Sequence, residues 1–256
     1  MKYSLIITAW KEADSVEKNL MNILNPNSGN LLPEMEIILV CPDEETFQAG
    51  VKAVNKFSFD KFIYIKDKGV GKPAAFSEAI DQANGEILIC TDGDVILAAN
   101  ALGQLVKQFD DKSIGGVSGR PVSTDSKKKL LGYWGNLLAD AAHKKRTLEY
   151  SRKRNYFMSG YLLAFRKISG MRIPENALVD DAWITLYLAN NGYRIGYEPN
   201  ALVLVKYPKT FSDWLKQKRR SAGGYAQLET QGNLNKGAKR NFSEELKFIL
   251  FPLSYS

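Results

Sequence analysis

Two aspartates with a single glycine between them, Asp92 and Asp94, close the apolar stretch EILICT at residues 86–91. Carboxylates at i and i+2, held at a strand end, can share one hard divalent cation. Mg²⁺ or Mn²⁺ accepts such oxygens and can bridge from them to substrate phosphates. Asp-Gly between apolar runs is equally a hairpin signal, in which Asp92 only starts a turn. Further along, Asp180 and Asp181 stand side by side ahead of a helix-like segment. As an N-cap and a first-turn acid they would complement the helix dipole. As a desolvated pair they disfavour double ionisation, which lifts one pKa toward the range of a general base. Gln217 and Arg220 lie three apart in the segment TFSDWLKQKRRSAGGYAQL. A guanidinium matches the oxygens of a diphosphate, whereas an amphipathic surface helix with long cationic side chains is the plainer account.

The surrounding pattern shows what must position these groups. Residues 3–9, 35–41, 62–67 and 86–91 are short apolar runs of strand length. Between the first two, Ala13, Val16, Leu20, Ile23 and Leu24 recur at helical spacing. The stretch KPAAFSEAIDQANG reads as a helix, with Pro73 in its first turn, Gly85 just past its end, and Phe76, Ala79, Ile80 and Ala83 facing inward. Strands alternating with helices predict a mainly parallel sheet covered on both faces, with ligands beyond the carboxyl ends of its strands. Asp92 lies at such an end. Later, residues 115–122, 156–167 and 193–199 suggest further strands, the second with a turn at Ser159-Gly160. A helix from Asp180 is expected to stop at Gly192. Leu130, Leu131, Trp134, Leu137, Leu138 and Ala141 recur at helical spacing and suggest another helix. Polar composition at 229–241 places a boundary there.

The chain has 256 residues, 45% of them hydrophobic and 25% charged, an ordinary globular balance. Cys41 and Cys90, each at the end of an apolar run, read as buried free thiols in a reducing compartment. The opening MKYSLIITAWKEAD turns polar too soon for a secretory signal. No apolar run approaches the roughly 20 residues of a membrane span. The net charge is +7. Residues 127–154 hold nine Lys or Arg against Asp140 and Glu149, an excess equal to that of the whole chain. With the KQKRR cluster at 216–220, this favours an anionic partner or a solvated helix face.

Taken in order, these segments resemble the GT-A glycosyltransferases of family 2, the group of cellulose, chitin and hyaluronan synthases. SLIITAWKE resembles the family's opening strand, GKPAAFSEAIDQANGEILICTDGDV its Asp-x-Asp segment, and SGYLLAFRK its acceptor-side glycine segment. VDDAW resembles its acidic base motif, and QKRRS its Gln-x-x-Arg-Trp, with Ser221 in place of the tryptophan. The resemblance, over residues 3–228, implies an α/β, Rossmann-like GT-A domain at 1–228 with helices on both faces of a mainly parallel sheet. It leaves 229–256 as a polar linker and amphipathic tail, membrane-proximal or a truncated end.

The resemblance also implies roles. Asp92 and Asp94 hold Mg²⁺ or Mn²⁺ against the diphosphate of a nucleotide-sugar donor, with uridine the expected nucleoside. Ala9, Trp10, Glu12, Asp43, Lys72, Asp92 and Gly93 surround that donor. Asp181, with Asp180 beside it, deprotonates an acceptor hydroxyl on a glycan or lipid-linked glycan. Gly160, Gln217 and Arg220 serve the acceptor and diphosphate. The implied reaction is inverting transfer, performed in the cytoplasm at the inner face of the membrane with an anionic lipid surface as partner. Processive synthesis is not implied, because Ser221 cannot stack on a sugar. Two rival readings rest on the same residues. A nucleotidylyltransferase would carry a glycine-rich basic loop after the first strand, where Ala9-Trp10-Lys11-Glu12 stands instead. A basic nucleic-acid-binding domain would leave Asp92, Asp94 and Asp181 without a role.

Overall fold

A computed structural model describes residues 1–230. The expected tail at 231–256 lies outside the described residues. The chain opens with β1 (Tyr3–Thr8), α1 (Ala13–Leu24), β2 (Met35–Val40), α2 (Glu44–Lys56), β3 (Phe62–Ile65), α3 (Lys72–Gln82) and β4 (Ile87–Asp92). It continues with β5 (Ile96–Leu97), α4 (Ala101–Lys107), β6 (Ile114–Ser123), α5 (Leu130–Ser151), β7 (Leu162–Arg166), α6 (Asp180–Asn190), β8 (Arg194–Val205) and α7 (Phe211–Thr230). One eight-stranded sheet has the order β3-β2-β1-β4-β7-β6-β8-β5. The β3-β2-β1-β4 half is parallel, as expected, and β6 is parallel to β8. The β4–β7, β6–β7 and β5–β8 pairs are antiparallel, so the sheet is mixed though mostly parallel.

Continuous burial of β1, β2 and β4 follows from a sheet covered on both faces. Leu5, Ile7, Ile37, Leu39 and Ile89 pack under α1 with Leu20 and Ile23. The alternate residues Ile6, Ile38, Val40, Leu88 and Cys90 pack on the other face with Phe76 and Ala79 of α3 and Ile184 and Leu188 of α6. Both cysteines are free and buried.

Two helices show features that the sequence pattern did not reveal. The helix α2 has no counterpart in the sequence reading. Its buried positions are Thr46, Gly50, Ala53 and Val54, small or polar residues that make a weak apolar stripe. Gly50 is required there, since a Cβ would come 2.5 Å from Leu39 Cδ2. On α5, the face toward the core is not the leucine stripe but Gly132, Gly135, Ala139 and Glu149. Leu130 remains 66% exposed and Leu138 38%. The last helix, α7, runs to Thr230, beside the expected boundary at 229–241.

Candidate functional site

The carboxyl ends of β1 and β4 lie in register, Thr8 opposite Asp92, and the chain turns there into residues 92–94. That turn is pinned from below. Gly93 N donates to Thr8 O at 3.0 Å, and Asn19 Nδ2 of α1 donates to the Asp92 carbonyl at 3.2 Å. The hairpin alternative fails, because β4 and β5 are not paired with each other: β5 joins β8 at the opposite edge of the sheet. The first residue of α3 reaches back into the turn. Lys72 Nζ donates to Asp92 Oδ1 at 2.5 Å and lies 3.7 Å from Asp180 Oδ2. Burial works against its charge, but the carboxylates of Asp180 and Asp92 outweigh that and hold the ammonium protonated.

Asp180 and Asp181 open α6. Val179 is the N-cap, so both acids are first-turn residues rather than one cap and one neighbour. Asp181 is fixed by two backbone donors, Gly160 N at 2.9 Å to Oδ2 and Ala182 N at 2.8 Å to Oδ1. A Cβ on residue 160 would stand 3.2 Å from Asp181 Oδ2, so glycine brings the backbone against the carboxylate. Burial first, then the Asp180 charge, pushes the Asp181 carboxyl up to about 6, against the lowering effect of Lys72. Asp180 Oδ2 is buried with no hydrogen-bond partner among the described residues.

Glu12 and Asp94 complete an acidic group beside Asp92. Burial and the charges of Asp94 and Asp92 lift Glu12 to about 7. Burial and Asp92 raise Asp94 above the usual carboxylate range. Crowding of this kind is what a bound cation relieves, and carboxylate oxygens suit Mg²⁺ or Mn²⁺. Among the described residues no group of three or more His, Cys, Asp or Glu side chains could hold a metal by itself. Asp92 and Asp94 would therefore hold one together with oxygens from a diphosphate or water.

These groups line one cleft of about 1440 Å³. The structure brings together there Ala9, Trp10, Glu12, Lys72, Asp92, Asp94, Gly160, Asp180, Asp181, Gln217 and Arg220, all singled out from the sequence. Gln217 Nε2 approaches the Tyr161 hydroxyl at 3.4 Å. Two expected residues are not in the cleft wall. Asp43 instead caps α2, accepting from Thr46 N at 3.0 Å, and accepts from Lys11 N at 2.9 Å. Both carboxylate oxygens are thereby used to shape the loops. Gly93 faces inward: a Cβ would come within 2.8 Å of Ala9 Cβ and Glu12 Oε2. Its missing side chain admits α1, not a ligand.

The sequence reading missed Asp67, Tyr161 and Lys206, which also line the cleft. Asp67 follows β3 as Asp92 ends β4, and that repeat of apolar run then acid was the available signal. Its Oδ2 accepts from Gly69 N at 3.2 Å, while its Oδ1 is buried without a partner among the described residues.

Comparison with known proteins agrees with this geometry. The sequence profile of the family described as "Glycosyltransferase like family 2" matches residues 2–224. A poly-beta-1,6-N-acetyl-D-glucosamine synthase of Staphylococcus aureus is 26% identical over 98% of this chain and 58% of its own length. The Staphylococcus epidermidis protein of that name is 27% identical over 86% of this chain and 54% of its own. The chain thus spans a little over half the length of these relatives. Among solved structures, the Pyrobaculum calidifontis mannosyltransferase PcManGT, in complex with GDP-Man and Mn²⁺, superposes with a TM-score of 0.71 at 21% identity, over 99% of this chain and 70% of that one. TarS 1-349 of S. aureus in complex with UDP-GlcNAc gives 0.60 at 16% identity, over 100% and 74%. Both share the fold.

Proposed function

The chain belongs to glycosyltransferase-like family 2, and from that premise we propose that it transfers a sugar, with inversion, from a nucleotide-diphosphate donor to a hydroxyl of a glycan or lipid-linked glycan. The observation that carries this reading is the meeting of two kinds of carboxylate in one cleft. Asp92 and Asp94 crowd at the end of β4, while Asp181 is held singly, by backbone donors, on α6. The first pair suits a cation and a diphosphate; the second suits a proton acceptor.

Asp181 takes the proton from the acceptor oxygen as that oxygen attacks the anomeric carbon. Its raised pKa matches this task near neutral pH. Lys72 screens Asp92 from Asp180 and keeps the base from being raised further. When bound, Mg²⁺ or Mn²⁺ at Asp92 and Asp94 would supply charge for the departing nucleotide diphosphate. Arg220 and Lys206, which line the same cleft, add cationic donors for those phosphates. Ala9, Trp10, Glu12 and Asp67 frame the nucleoside end, with Asp67 Oδ1 as an acceptor in want of a donor. A uridine donor is supported by the UDP-GlcNAc complex of a structural neighbour. The chain is proposed to work in the cytoplasm at the inner face of the cell membrane, where its basic helices meet anionic lipid. No helix among the described residues is long and apolar enough to cross a membrane.

Calorimetry with a panel of nucleotide sugars, with and without Mn²⁺, tests the reading. One donor should bind in a metal-dependent way, and Asp94→Asn should abolish that dependence. Equal binding by wild type and Asp94→Asn, with or without chelator, removes the metal assignment.

A further inference from the structure

The last helix changes character along its length. No residue of α7 before Gly224 is fully buried, whereas Gly224 and Leu228 are. The inner end is fastened to α6 and to the segment that leads into it. Leu228 packs with Ala182 and Leu186 of α6, and the Tyr225 ring lies 5.1 Å from that of Phe157. A single amide adds two hydrogen bonds: Gln227 Nε2 donates to Asn176 O at 2.8 Å, and its Oε1 accepts from Leu178 N at 3.1 Å. The outer end has thinner holds. Trp214 meets Trp134 of α5 with ring centres 5.4 Å apart, and Gln217 Nε2 reaches the Tyr161 hydroxyl at a long 3.4 Å. Yet it is the outer end, with Gln217, Lys218 and Arg220, that lines the cleft over the carboxylates.

Between the two ends the sequence is Ser221-Ala222-Gly223-Gly224. Ser221 Oγ donates back to Gln217 O at 3.1 Å, a bond of the kind that bends helices. Serine and glycine together are among the few places where helices kink. Packing accounts for only one of the two glycines. A Cβ on residue 224 would come within 2.6 Å of Val179 Cγ1, on the N-cap of α6. A Cβ on residue 223 would meet only Leu178 Cδ1, at an ordinary 3.5 Å. Gly223 therefore weakens the helix interior where alanine would fit.

We infer that α7 is a hinged cover: its outer half swings about Ser221–Gly224 while its inner half stays with α6 and Asp181. The helix described is continuous and lies along the cleft, so bending opens it. The rise of a helix puts Trp214 about 13 Å from residue 223. A kink of about 20° there carries Trp214 roughly 5 Å, enough to part it from Trp134. The donor's diphosphate, drawn to Arg220, holds the outer half down, and loss of the nucleotide releases it. Donor and product can then exchange without disturbing the base. This rests on the transferase reading above, which supplies the closing ligand, and adds the device that admits it.

The test places pairs of spin labels on the whole chain and measures their separation by double electron–electron resonance. Cys41 and Cys90 are buried and do not compete for label. One pair is Asp14→Cys with Lys216→Cys, exposed sites on α1 and on the outer half; the other is Asp14→Cys with Ala226→Cys, on the inner half. Mn²⁺ with the nucleotide sugar that binds in calorimetry, UDP-GlcNAc tried first, is the probe. Without it, the 14/216 separation should be broad, with a component about 3–5 Å longer. With it, that component should vanish, and the 14/226 separation should stay fixed throughout. Stopped-flow tryptophan fluorescence then times nucleotide release. Gly223→Ala should slow release about fivefold and Ala222→Gly should speed it by about as much, the difference between glycine and alanine in a helix interior. Opposite signs are the mark of a hinge, because a glycine with a merely structural role would not be improved upon by a second. Either variant alone suffices if the other does not fold. A 14/216 separation that ignores a bound nucleotide overturns the hinge and leaves the transferase reading standing. So does movement of both pairs together, or release rates unchanged or shifted in the same direction by the two variants. A chain that binds no nucleotide sugar loses the transferase reading, and the hinge loses its ligand with it.

Discussion

The two halves of the sheet treat apolar residues in opposite ways. In the β3-β2-β1-β4 half, almost every apolar side chain of β1, β2 and β4 is fully enclosed, odd residues under α1 and even residues under α3 and α6. Polar groups concentrate at the strand ends, where Thr8 and Asp92 stand in register. In the half built on β7, β6 and β8, the covering helix α5 turns glycines and an alanine to the sheet and leaves Leu130 and Leu138 outside. The first half spends its hydrophobic surface on holding the carboxylates still. The second keeps part of that surface free. Rigidity is thus placed where charge must be positioned.

The largest effect expected from breaking this division is at Asp181. Asp181→Asn keeps the size and can still accept from Gly160 N, but it cannot take a proton. Transfer should fall by about 10²–10⁴-fold, the usual worth of a positioned base, while donor affinity stays near wild type. In wild type, activity should rise through a pH of about 6 as Asp181 ionises. Stability should move the other way. The folded pKa of about 6 lies above the ordinary value of 3.8, so the native state holds the extra proton between them. That contribution is complete below the ordinary value and is lost as pH rises through about 6. Urea midpoints across this range should decline in wild type and decline less in Asp181→Asn. A variant that still turns over at the wild-type rate ends the assignment of Asp181 as base.

Next in size are two changes in the rigid half. Leu20→Ala, at a fully buried position of α1, should cost about 2–5 kcal/mol, the range for an enclosed leucine. Gly93→Ala should cost about 1–3 kcal/mol by overpacking, because its Cβ meets Ala9 and Glu12 at 2.8 Å. Chemical denaturation measures both. A neutral Gly93→Ala would show that the turn yields easily and that α1 does not clamp the carboxylates.

The same contrast explains what was legible in the sequence. Continuous apolar runs ending in acids marked β1 to β4 and the Asp92 turn, because two-sided burial leaves no polar interruption. The order of Asp92, Asp94, Asp181, Gln217 and Arg220 marked the cleft, because each is a charged or polar residue that the core cannot explain. Asp43 stands outside the cleft wall, because proximity to the end of β2 does not reveal that Thr46 N and Lys11 N occupy its two oxygens. Asp67 was passed over although its local pattern matches that of Asp92. The inward direction of Gly93 depends on Ala9, Glu12 and Val16, more than seventy residues earlier in the chain and invisible to any local signal. On α5 the helical period was legible, but not which face packs. Helical spacing identifies a stripe but not what the stripe faces, and Gly132 and Gly135 gave no hydrophobic signal for the face that packs.

The smallest expected effect is the sharpest test of which face of α5 packs. Leu130→Ala removes a large apolar side chain from a helix, a change that in the rigid half would cost several kcal/mol. At 66% exposure it should alter the unfolding free energy by no more than about 0.5 kcal/mol, as at surface positions without special contacts. Gly135→Ala on the opposite face should cost more, since its Cβ would stand 3.0 Å from the Tyr207 ring. If Leu130→Ala instead costs about 2 kcal/mol or more, comparable to a core leucine, the stripe is covered in solution by some part of this chain or a second copy. The open half of the comparison would then be closed. If the order is Gly135 above Leu130, the leucine face is held for a partner rather than for the fold.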